Sequence, residues 1–323
     1  MEKKGNLLTV REDVRVLDAT IRDGGLVNNF EFSDEFIRKL YETNIAAGVD
    51  YMEFGYKADK DIFDESKLGK WKFAKDDDIW KIIGEKDDRI KISVMADVGR
   101  CNFRRDIIDR KDSPIDMIRV ATYINTMPAA IEMVEYAKEK GYEATCNIMA
   151  ISKAQETDVK QGLEMLAQSN VDAVYIVDSY GNLYPEQIDS LTDFYQGIIC
   201  TAGKSLGIHA HNNQQMAFAN TIESLSLGTS YLDATYCGMG RGAGNCAMEL
   251  LIGFLKNPKY KMMPVLKFTE DYMLDVKKTC VWGYDVPYLL TGQLNQHPSA
   301  AIDCIAKENT KYGDFYQMLL DRE

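Results

Sequence analysis

Histidine is scarce in this chain of 323 residues, which contains only His209, His211 and His297. Positive charge is also in deficit, because 38 lysines and arginines face 50 aspartates and glutamates and the formal net charge is −12. A chain with this net negative charge is repelled by the phosphate backbone of nucleic acids, which excludes nucleic acid as the main partner. No apolar run is long enough to span a bilayer, and the opening stretch MEKKGNLLTVREDVRV lacks the apolar core of a signal peptide. We expect no membrane partner.

Paired cysteines are missing as well. The seven cysteines are scattered, odd in number and never arranged as CxxC. This distribution is typical of reduced thiols, and it excludes a disulfide framework or a thiolate zinc site. We therefore expect a cytoplasmic protein.

Eight short strand-like runs alternate with stretches of helical periodicity along the chain. A repeated strand–helix unit predicts a parallel sheet, and eight units within about 250 residues predict a closed (β/α)8 TIM barrel rather than an open sheet. The runs span residues 14–20, 49–56, 90–97, 115–124, 142–151, 171–179, 205–212 and 231–238.

The stretches between the runs carry helix boundaries and one insertion. Residues 33–48 begin at a plausible cap, Ser33, and residues 127–141, like them, end at glycine. The stretch 57–80 is long for one helix and predicts an inserted loop after strand 2. Beyond the last run the pattern is helical, so we predict a barrel domain over 1–254 and a C-terminal helical region over 255–323.

The two neighbouring histidines raise the possibility of a metal site. His209 and His211 alternate along predicted strand 7, so their imidazoles project to one face and form either a packed polar pair or most of a metal site. Asp23 directly follows strand 1 in LDATIRDGG (17–25). Active sites of this barrel lie at the carboxyl ends of the strands, and only strand 8 separates strands 7 and 1. One carboxylate and two imidazoles are a frequent metal-binding set.

Other polar groups follow strands 1, 6 and 8. Arg22 forms either a surface ion pair or a contact to a ligand. The loop CGMGRGAGN (237–245) has four glycines, which suit either close approach to a ligand or a plain tight connection, and Asn245 ends it. After strand 6, we favour a ligand contact for Ser179 and a turn-capping role for Asp178.

The motifs LDATIRDGG, GIHAHNN and CGMGRGAGN, in this order and at these distances, resemble those of the metal-dependent lyase and aldolase superfamily that includes HMG-CoA lyase and isopropylmalate synthase. GMGRGAGN followed by an apolar helix is most similar to the 4-hydroxy-2-oxovalerate aldolase branch. The resemblance implies a TIM barrel that binds Mn²⁺ or Mg²⁺, although the same ligands suit Zn²⁺ or Co²⁺. It also implies a homodimer. The dehydrogenase partner of the aldolase branch is not indicated by any residue of this chain.

The same resemblance implies roles for individual residues. Asp23, His209 and His211 match the metal ligands, and Asn245 matches an asparagine that approaches the metal. The implied substrate contacts and catalytic groups are Arg22 at an enolate oxygen, Ser179 at the pyruvyl group, and Tyr288 from the helical tail, with His297 as a second candidate.

Two positions depart from the superfamily pattern. Leu26 stands where the aldolases carry an acid–base histidine, and Gly25 stands where the synthases carry a glutamate. The implied function is a divalent-metal-dependent carbon–carbon lyase of the aldolase type, acting through a pyruvate-like enolate of a 2-oxo acid. The alternatives are an acyl-CoA-dependent synthase of the isopropylmalate or citramalate type and a catalytically lapsed, ligand-binding barrel. Three arginines follow strand 3: Arg100, Arg104 and Arg105. They could bind an anionic substrate, although arginines at such positions are more often solvated at the surface.

Overall fold

The computed structural model describes residues 10–322, in which eight parallel strands pair in chain order and close into a barrel. All eight predicted strand runs are confirmed. The prediction that the chain lacks a signal peptide concerns mainly residues 1–9, which lie outside the described range. The strands are β1 (Arg15–Asp18), β2 (Tyr51–Tyr56), β3 (Lys91–Asp97), β4 (Met117–Thr122), β5 (Glu143–Ile148), β6 (Ala173–Asp178), β7 (Ser205–Ala210) and β8 (Tyr231–Ala234).

Nine α-helices follow or connect these strands within the described residues. The longest begins as predicted, because the hydroxyl of Ser33 accepts a hydrogen bond from the backbone N–H of Phe36, and it ends at Gly48, whose φ of 76° is left-handed. These helices are α1 (Thr20–Gly24), α2 (Asp34–Ala47), α3 (Asp76–Ile83), α4 (Phe103–Asp106), α5 (Met127–Glu139), α6 (Glu156–Gln168), α7 (Pro185–Tyr195), α8 (Ala217–Leu227) and α9 (Met248–Phe254).

The predicted insertion after β2 is confirmed as a loop that precedes α3. Its anchor is Trp71, whose side chain is fully buried in the core. The backbone of Trp71 lies so close to Gly55 that a side chain at Gly55 would overlap the Trp71 carbonyl, and Gly55 also has a φ of 141°. This anchoring places the next residue, Lys72, beside the mouth of the barrel.

The interior of the barrel contains a layer of polar side chains. Glu53 of β2, Arg119 of β4, Tyr175 of β6 and Asp233 of β8 are all buried. They come from alternate strands, which is how the layers of a TIM barrel are built. Apolar and aromatic residues two positions earlier in the same strands close the barrel below them, for example Tyr51. The polar layer therefore lies directly beneath the carboxyl-terminal mouth.

Five further helices complete the fold after α9: α10 (Met262–Phe268), α11 (Leu274–Thr279), α12 (Val286–Gln293), α13 (Ser299–Ala306) and α14 (Tyr312–Leu320). The last three build a small core of their own, which contains Ala301, Cys304, Phe315 and Leu319. The helical character of the C-terminal region is thus confirmed, and the domain boundary at residue 254 stays a prediction. Within residues 10–322 no helix is both long and apolar enough to cross a bilayer.

Candidate metal centre

Asp23, His209 and His211 meet at the carboxyl-terminal mouth of the barrel. Each offers one ligand atom, these atoms lie within 4.8 Å of one another, and all three residues are buried. Asp23 reaches the site because α1 follows β1 after a single residue, so the first turn of the helix lies over the barrel. His209 belongs to β7, and His211 follows the end of that strand on the same face.

The hydrogen bonds of the two histidines direct their Nε2 atoms into the site. Nδ1 of His211 lies 3.0 Å from the carbonyl oxygen of Asp178 and must donate to it, which leaves Nε2 with a lone pair. Nδ1 of His209 lies 2.9 Å from the carboxylate of Asp233. Burial, together with the charge of Arg22, lowers the pKa of His209 to about 4, so its ring is neutral at pH 7. An imidazole whose Nδ1 is held by a carbonyl or carboxylate oxygen, with Nε2 turned to the site, is the usual arrangement of a histidine metal ligand.

Unsatisfied buried atoms at the site fit a bound cation. Nε2 of His211 and Oδ1 of Asn245 are buried without a hydrogen-bond partner in the described chain. Asn245 donates from Nδ2 to Oδ2 of Asp23 at 2.6 Å, so its amide is held beside the carboxylate. A cation with oxygen and nitrogen ligands would satisfy these lone pairs, whereas a packed polar pair would leave them unpaired. The residues present therefore fit a divalent metal ion.

Arg22 lies beside the ligand carboxylate with its guanidinium fixed by two acids. Nη1 donates to Oδ1 of Asp23 at 2.7 Å, and Nε donates to Oε2 of Glu53 at 2.8 Å. Burial opposes the ionisation of Asp23, but the charge of the neighbouring Arg22 outweighs it and holds the pKa of Asp23 well below its usual range. Asp23 is therefore an anion, which is the form of a carboxylate that could bind a metal ion.

The polar layer below the site was not predicted from the sequence. Arg119 donates to Glu53 at 2.8 Å and to Asp233 at 2.5 Å, and Asp233 in turn holds His209. The chain of ion pairs thus connects Arg22 and His209 through the barrel interior, and Nη2 of Arg22 also lies 3.4 Å from Nε2 of His209. Its signal in the sequence was a charged residue in the middle of an apolar strand, as in YMEFGY and MIRVAT.

A cavity of about 200 Å³ opens above the candidate metal centre. Its wall includes Arg22 and the three residues of the candidate centre, and also Leu26, Ser179 and His297. The charged side chains of the wall are four cations and two anions, although the whole chain is acidic. They are Arg22, Lys72, Arg100, Arg241, Asp23 and Asp97.

The structure brings together most, but not all, of the residues singled out above. Ser179 lines the cavity, while its hydroxyl also accepts from the backbone N–H of Ala150 at 2.8 Å. Asp178 caps a turn, accepting from the backbone N–H of Asn182 at 3.0 Å. Tyr288 packs against the small C-terminal core and is not among the residues that line the cavity, so its catalytic role stays a prediction.

The arginines after strand 3 separate into two kinds. Arg100 lines the cavity. Arg104 pairs with Glu132 and Arg105 pairs with Asp59, all at the surface, so these two do not contribute to the wall.

Comparison with known proteins places this chain among carbon–carbon lyases. The model of the HMGL-like family matches residues 13–275. The chain belongs to the HMGL-like family. An oxaloacetate decarboxylase of Mycobacterium tuberculosis is 30% identical over 251 residues, which is 77% of this chain and 71% of the relative. A 4-hydroxy-2-oxovalerate aldolase of Thermus thermophilus is 28% identical over 264 residues, covering 80% of this chain and 74% of the relative.

Solved structures of other proteins share the fold. The N-terminal domain of a protein assigned as an aldolase from Bacteroides vulgatus superimposes with a TM-score of 0.77 at 23% identity, over 90% of this chain and 96% of that domain. HMG-CoA lyase from Brucella melitensis gives a TM-score of 0.64 at 16% identity, over 83% of this chain and 100% of that chain. Family membership and these relatives support an enzyme that acts on carbon–carbon bonds, which disfavours the alternative of a lapsed barrel.

Proposed function

We propose that this HMGL-like enzyme is a divalent-metal-dependent aldolase, which cleaves or forms a carbon–carbon bond next to the pyruvate-like enolate of a 2-oxo acid. The observation that carries the proposal is the convergence of Asp23, His209 and His211 beside the guanidinium of Arg22 at the floor of one cavity. Mn²⁺ or Mg²⁺ is the metal that the proposal expects. Asp23, His209 and His211 would hold it, with the amide of Asn245 beside the carboxylate of Asp23.

The enolate is the high-energy species that the site has to stabilise. When bound, the metal ion supplies a Lewis acid that makes negative charge on the substrate oxygen tolerable. Arg22 supplies a fixed positive charge next to it, and its hydrogen bond to Glu53 keeps the guanidinium in place before the substrate arrives. Ser179 contributes a polar group to the cavity wall on the side of β6, where we place the pyruvyl group.

A second candidate reaction, decarboxylation of a 2-oxo diacid, is favoured by one feature of the site. Leu26 lines the cavity at the position expected for the acid–base histidine, and a leucine cannot transfer a proton. Loss of carbon dioxide from a carboxylate needs a stabilised enolate but no base to start the reaction. A relative with 30% identity is named an oxaloacetate decarboxylase. The two reactions share the enolate and differ in the need for a base.

Pyruvate release tests the proposal. The full-length protein, loaded with Mn²⁺ or Mg²⁺, is incubated with 4-hydroxy-2-oxo acids of several chain lengths and, separately, with oxaloacetate. We expect pyruvate from at least one 4-hydroxy-2-oxo acid, and a loss of about 100-fold or more in the Asp23→Asn variant because the metal is no longer held. Asp158→Asn, an exposed acid on α6, is the control for the loss of one charge.

Other outcomes would point elsewhere. Pyruvate from oxaloacetate alone would identify a decarboxylase. Release of free CoA from acetyl-CoA and a 2-oxo acid would identify the synthase alternative. If metal binds but no substrate yields pyruvate or free CoA, the enolate proposal is wrong.

The proposal also includes a homodimer in the cytoplasm that acts on a small-molecule 2-oxo acid. The seven cysteines are all free of disulfides, as expected of a reducing compartment. Sedimentation of the full-length protein at several concentrations tests the dimer, and a mass of one chain throughout would contradict it.

A further inference from the structure

We propose that Lys72 and Asp97 are the proton-transfer pair of the aldol reaction, replacing the histidine that is absent at Leu26. In this proposal the Asp97 carboxylate takes the proton of the substrate C4 hydroxyl, while Lys72 donates a hydrogen bond to the same oxygen. The inference rests on the proposed aldolase function and names the residues that supply its base.

Lys72 is a buried cation that makes no ion pair or hydrogen bond with any described residue through its side chain. The residue is 7% exposed, and its Nζ lies 4.0 Å from the ring centre of Tyr56 and 4.5 Å from that of Phe63. Lys57, which is equally buried in the same loop, is paired with Asp76. A buried ammonium group is normally paired, so the unpaired Lys72 on the cavity wall has a donor available for a ligand.

Asp97, at the end of β3, has an acceptor oxygen available for a ligand, as Lys72 has a donor. Its Oδ1 is buried without a hydrogen-bond partner in residues 10–322, and the side chain lines the same cavity. Lys72 and Asp97 interact electrostatically but do not form an ion pair. A hydroxyl group placed between them would accept from Lys72 and donate to Asp97, which satisfies both groups at once.

The environment of the pair suits proton transfer near neutral pH. Burial lowers the pKa of Lys72 to about 8 and raises the pKa of Asp97 above its ordinary value, which makes Asp97 a stronger base than an exposed carboxylate. The other charged and titratable groups that face the pair are Arg22, Arg100, Glu53, Tyr56 and Cys101.

His297 is the second candidate, after Tyr288, that the resemblance implies for a catalytic group from the helical tail, and it lines the cavity. Its Nδ1 accepts from the backbone N–H of Ser299 at 3.2 Å, and its Nε2 lies 3.3 Å from Nη1 of Arg241. A neutral ring whose Nδ1 accepts carries its proton on Nε2, so it has no free acceptor for a substrate proton, whereas Oδ1 of Asp97 has no hydrogen-bond partner in residues 10–322. This difference favours Lys72 and Asp97 as the proton-transfer groups.

In the cleavage step, Lys72 and Asp97 account for every proton that is transferred. Asp97 takes the C4 hydroxyl proton, the C4 oxygen forms the carbonyl of the aldehyde, and the C3–C4 bond breaks. The electron pair of that bond forms the C2–C3 double bond of the enolate, whose C2 oxygen faces Arg22. The protonated Asp97 then returns the proton to C3, which gives pyruvate and restores the carboxylate.

The test compares two reactions of the same protein that differ in their need for a base. Asp97→Asn and Lys72→Met are assayed, as full-length metal-loaded proteins, for cleavage of a 4-hydroxy-2-oxo acid and for decarboxylation of oxaloacetate. We expect the cleavage kcat to fall about 100-fold or more in Asp97→Asn, since a general base contributes at least about that factor, and decarboxylation to fall by far less. Lys60→Met, an exposed lysine in the same loop, is the matched control.

Each outcome decides the inference. A large fall in the ratio of cleavage to decarboxylation, with unchanged metal content, supports it. Equal falls in both reactions, or no fall in either, overturn it. Should Lys72→Met not fold, Lys72→Arg keeps a donor and is expected to retain part of the cleavage activity. If the unaltered protein decarboxylates oxaloacetate but cleaves no 4-hydroxy-2-oxo acid, the aldolase function itself fails, which is distinct from a failure seen only in the variants.

Discussion

Glu53 is the anion that two buried arginines of the barrel interior share. Its Oε2 accepts hydrogen bonds from both Arg22 and Arg119, each at 2.8 Å, and all three side chains are buried. In Glu53→Gln two buried guanidinium groups lose their shared anion, so we expect the free energy of unfolding to fall by about 3–5 kcal/mol. Urea denaturation measures this loss, with the exposed Glu164→Gln as control. A loss below about 1 kcal/mol would contradict the prediction.

Lys72 allows a prediction of how stability depends on pH. Burial lowers its pKa from 10.5 to about 8, so the folded protein favours the neutral form. The unfavourable free energy of burying the ammonium charge is zero at a pH above the pKa of Lys72 in the unfolded chain. It grows as the pH falls, and it reaches its full value below the pKa of Lys72 in the folded protein. At about 1.4 kcal/mol per pKa unit the cost is at most about 3–4 kcal/mol. Lys72→Met should therefore raise the free energy of unfolding by about 1–3 kcal/mol at pH 6.5, and by less at pH 10.

Urea denaturation at the two pH values checks this prediction about Lys72. Lys60→Met should show no such difference, because Lys60 is exposed. A gain that is equal at both pH values would mean that packing, rather than charge, determines the effect.

The residues of the candidate centre differ in how far the sequence could reveal them. Asp23, His209 and His211 stand at strand ends, where the barrel itself brings them together, so their positions along the chain were enough to group them. Glu53 lies mid-strand, and its role depends on a partner 66 residues away, Arg119. The partner of such a residue is fixed only when the barrel closes, and no local pattern encodes it.

At the scale of elements, the glycine-rich loop after β8 shapes the metal centre. A side chain at Gly240 would overlap Nδ2 of Asn245 and Oδ2 of Asp23, the two atoms joined by a hydrogen bond in the site. We expect Gly240→Ala to displace the Asn245 amide and to weaken metal affinity about 10- to 100-fold, as loss of a supporting partner does at other metal sites.

Titration of the metal-free protein with Mn²⁺ measures the effect at Gly240. Gly197→Ala is the matched control, because a side chain there would meet nothing within 4 Å. Unchanged affinity in Gly240→Ala would mean that the loop does not position Asn245.

Strands and loops were not equally predictable. The strands carry a regular apolar pattern that reflects burial on both faces, as in β2, where every residue is buried. The inserted loop after β2 was predicted to exist, but its course depends on Trp71 inserting into the core beside Gly55. That contact is set by tertiary packing, which is why the position of Lys72 on the cavity wall came only from the structure.

At the scale of the whole molecule, the barrel and the last three helices are two packing units. The helices α12–α14 have their own small core, and they contact the barrel side through specific hydrogen bonds. Asn295 and Ser152 exchange two of these bonds, at 2.8 and 3.0 Å, and Gln214 donates to the carbonyl oxygen of Leu289 at 2.8 Å. Because His297 follows Asn295 closely and lines the cavity, this attachment also fixes part of the cavity wall.

The attachment predicts local opening of the C-terminal helices without unfolding of the barrel. Asn295→Gly removes both bonds to Ser152, and glycine is chosen because the φ of Asn295 is 51°. Two hydrogen bonds contribute about 1–3 kcal/mol, so amide hydrogen exchange in α12 and α13 should become about 5- to 100-fold faster, while β-strand amides exchange as before. Glu308→Gly, at another left-handed position in the same segment, is expected to leave exchange in α12 unchanged. Equal acceleration in the strands would mean that the helices and the barrel unfold as one unit, since only a shared opening exposes both.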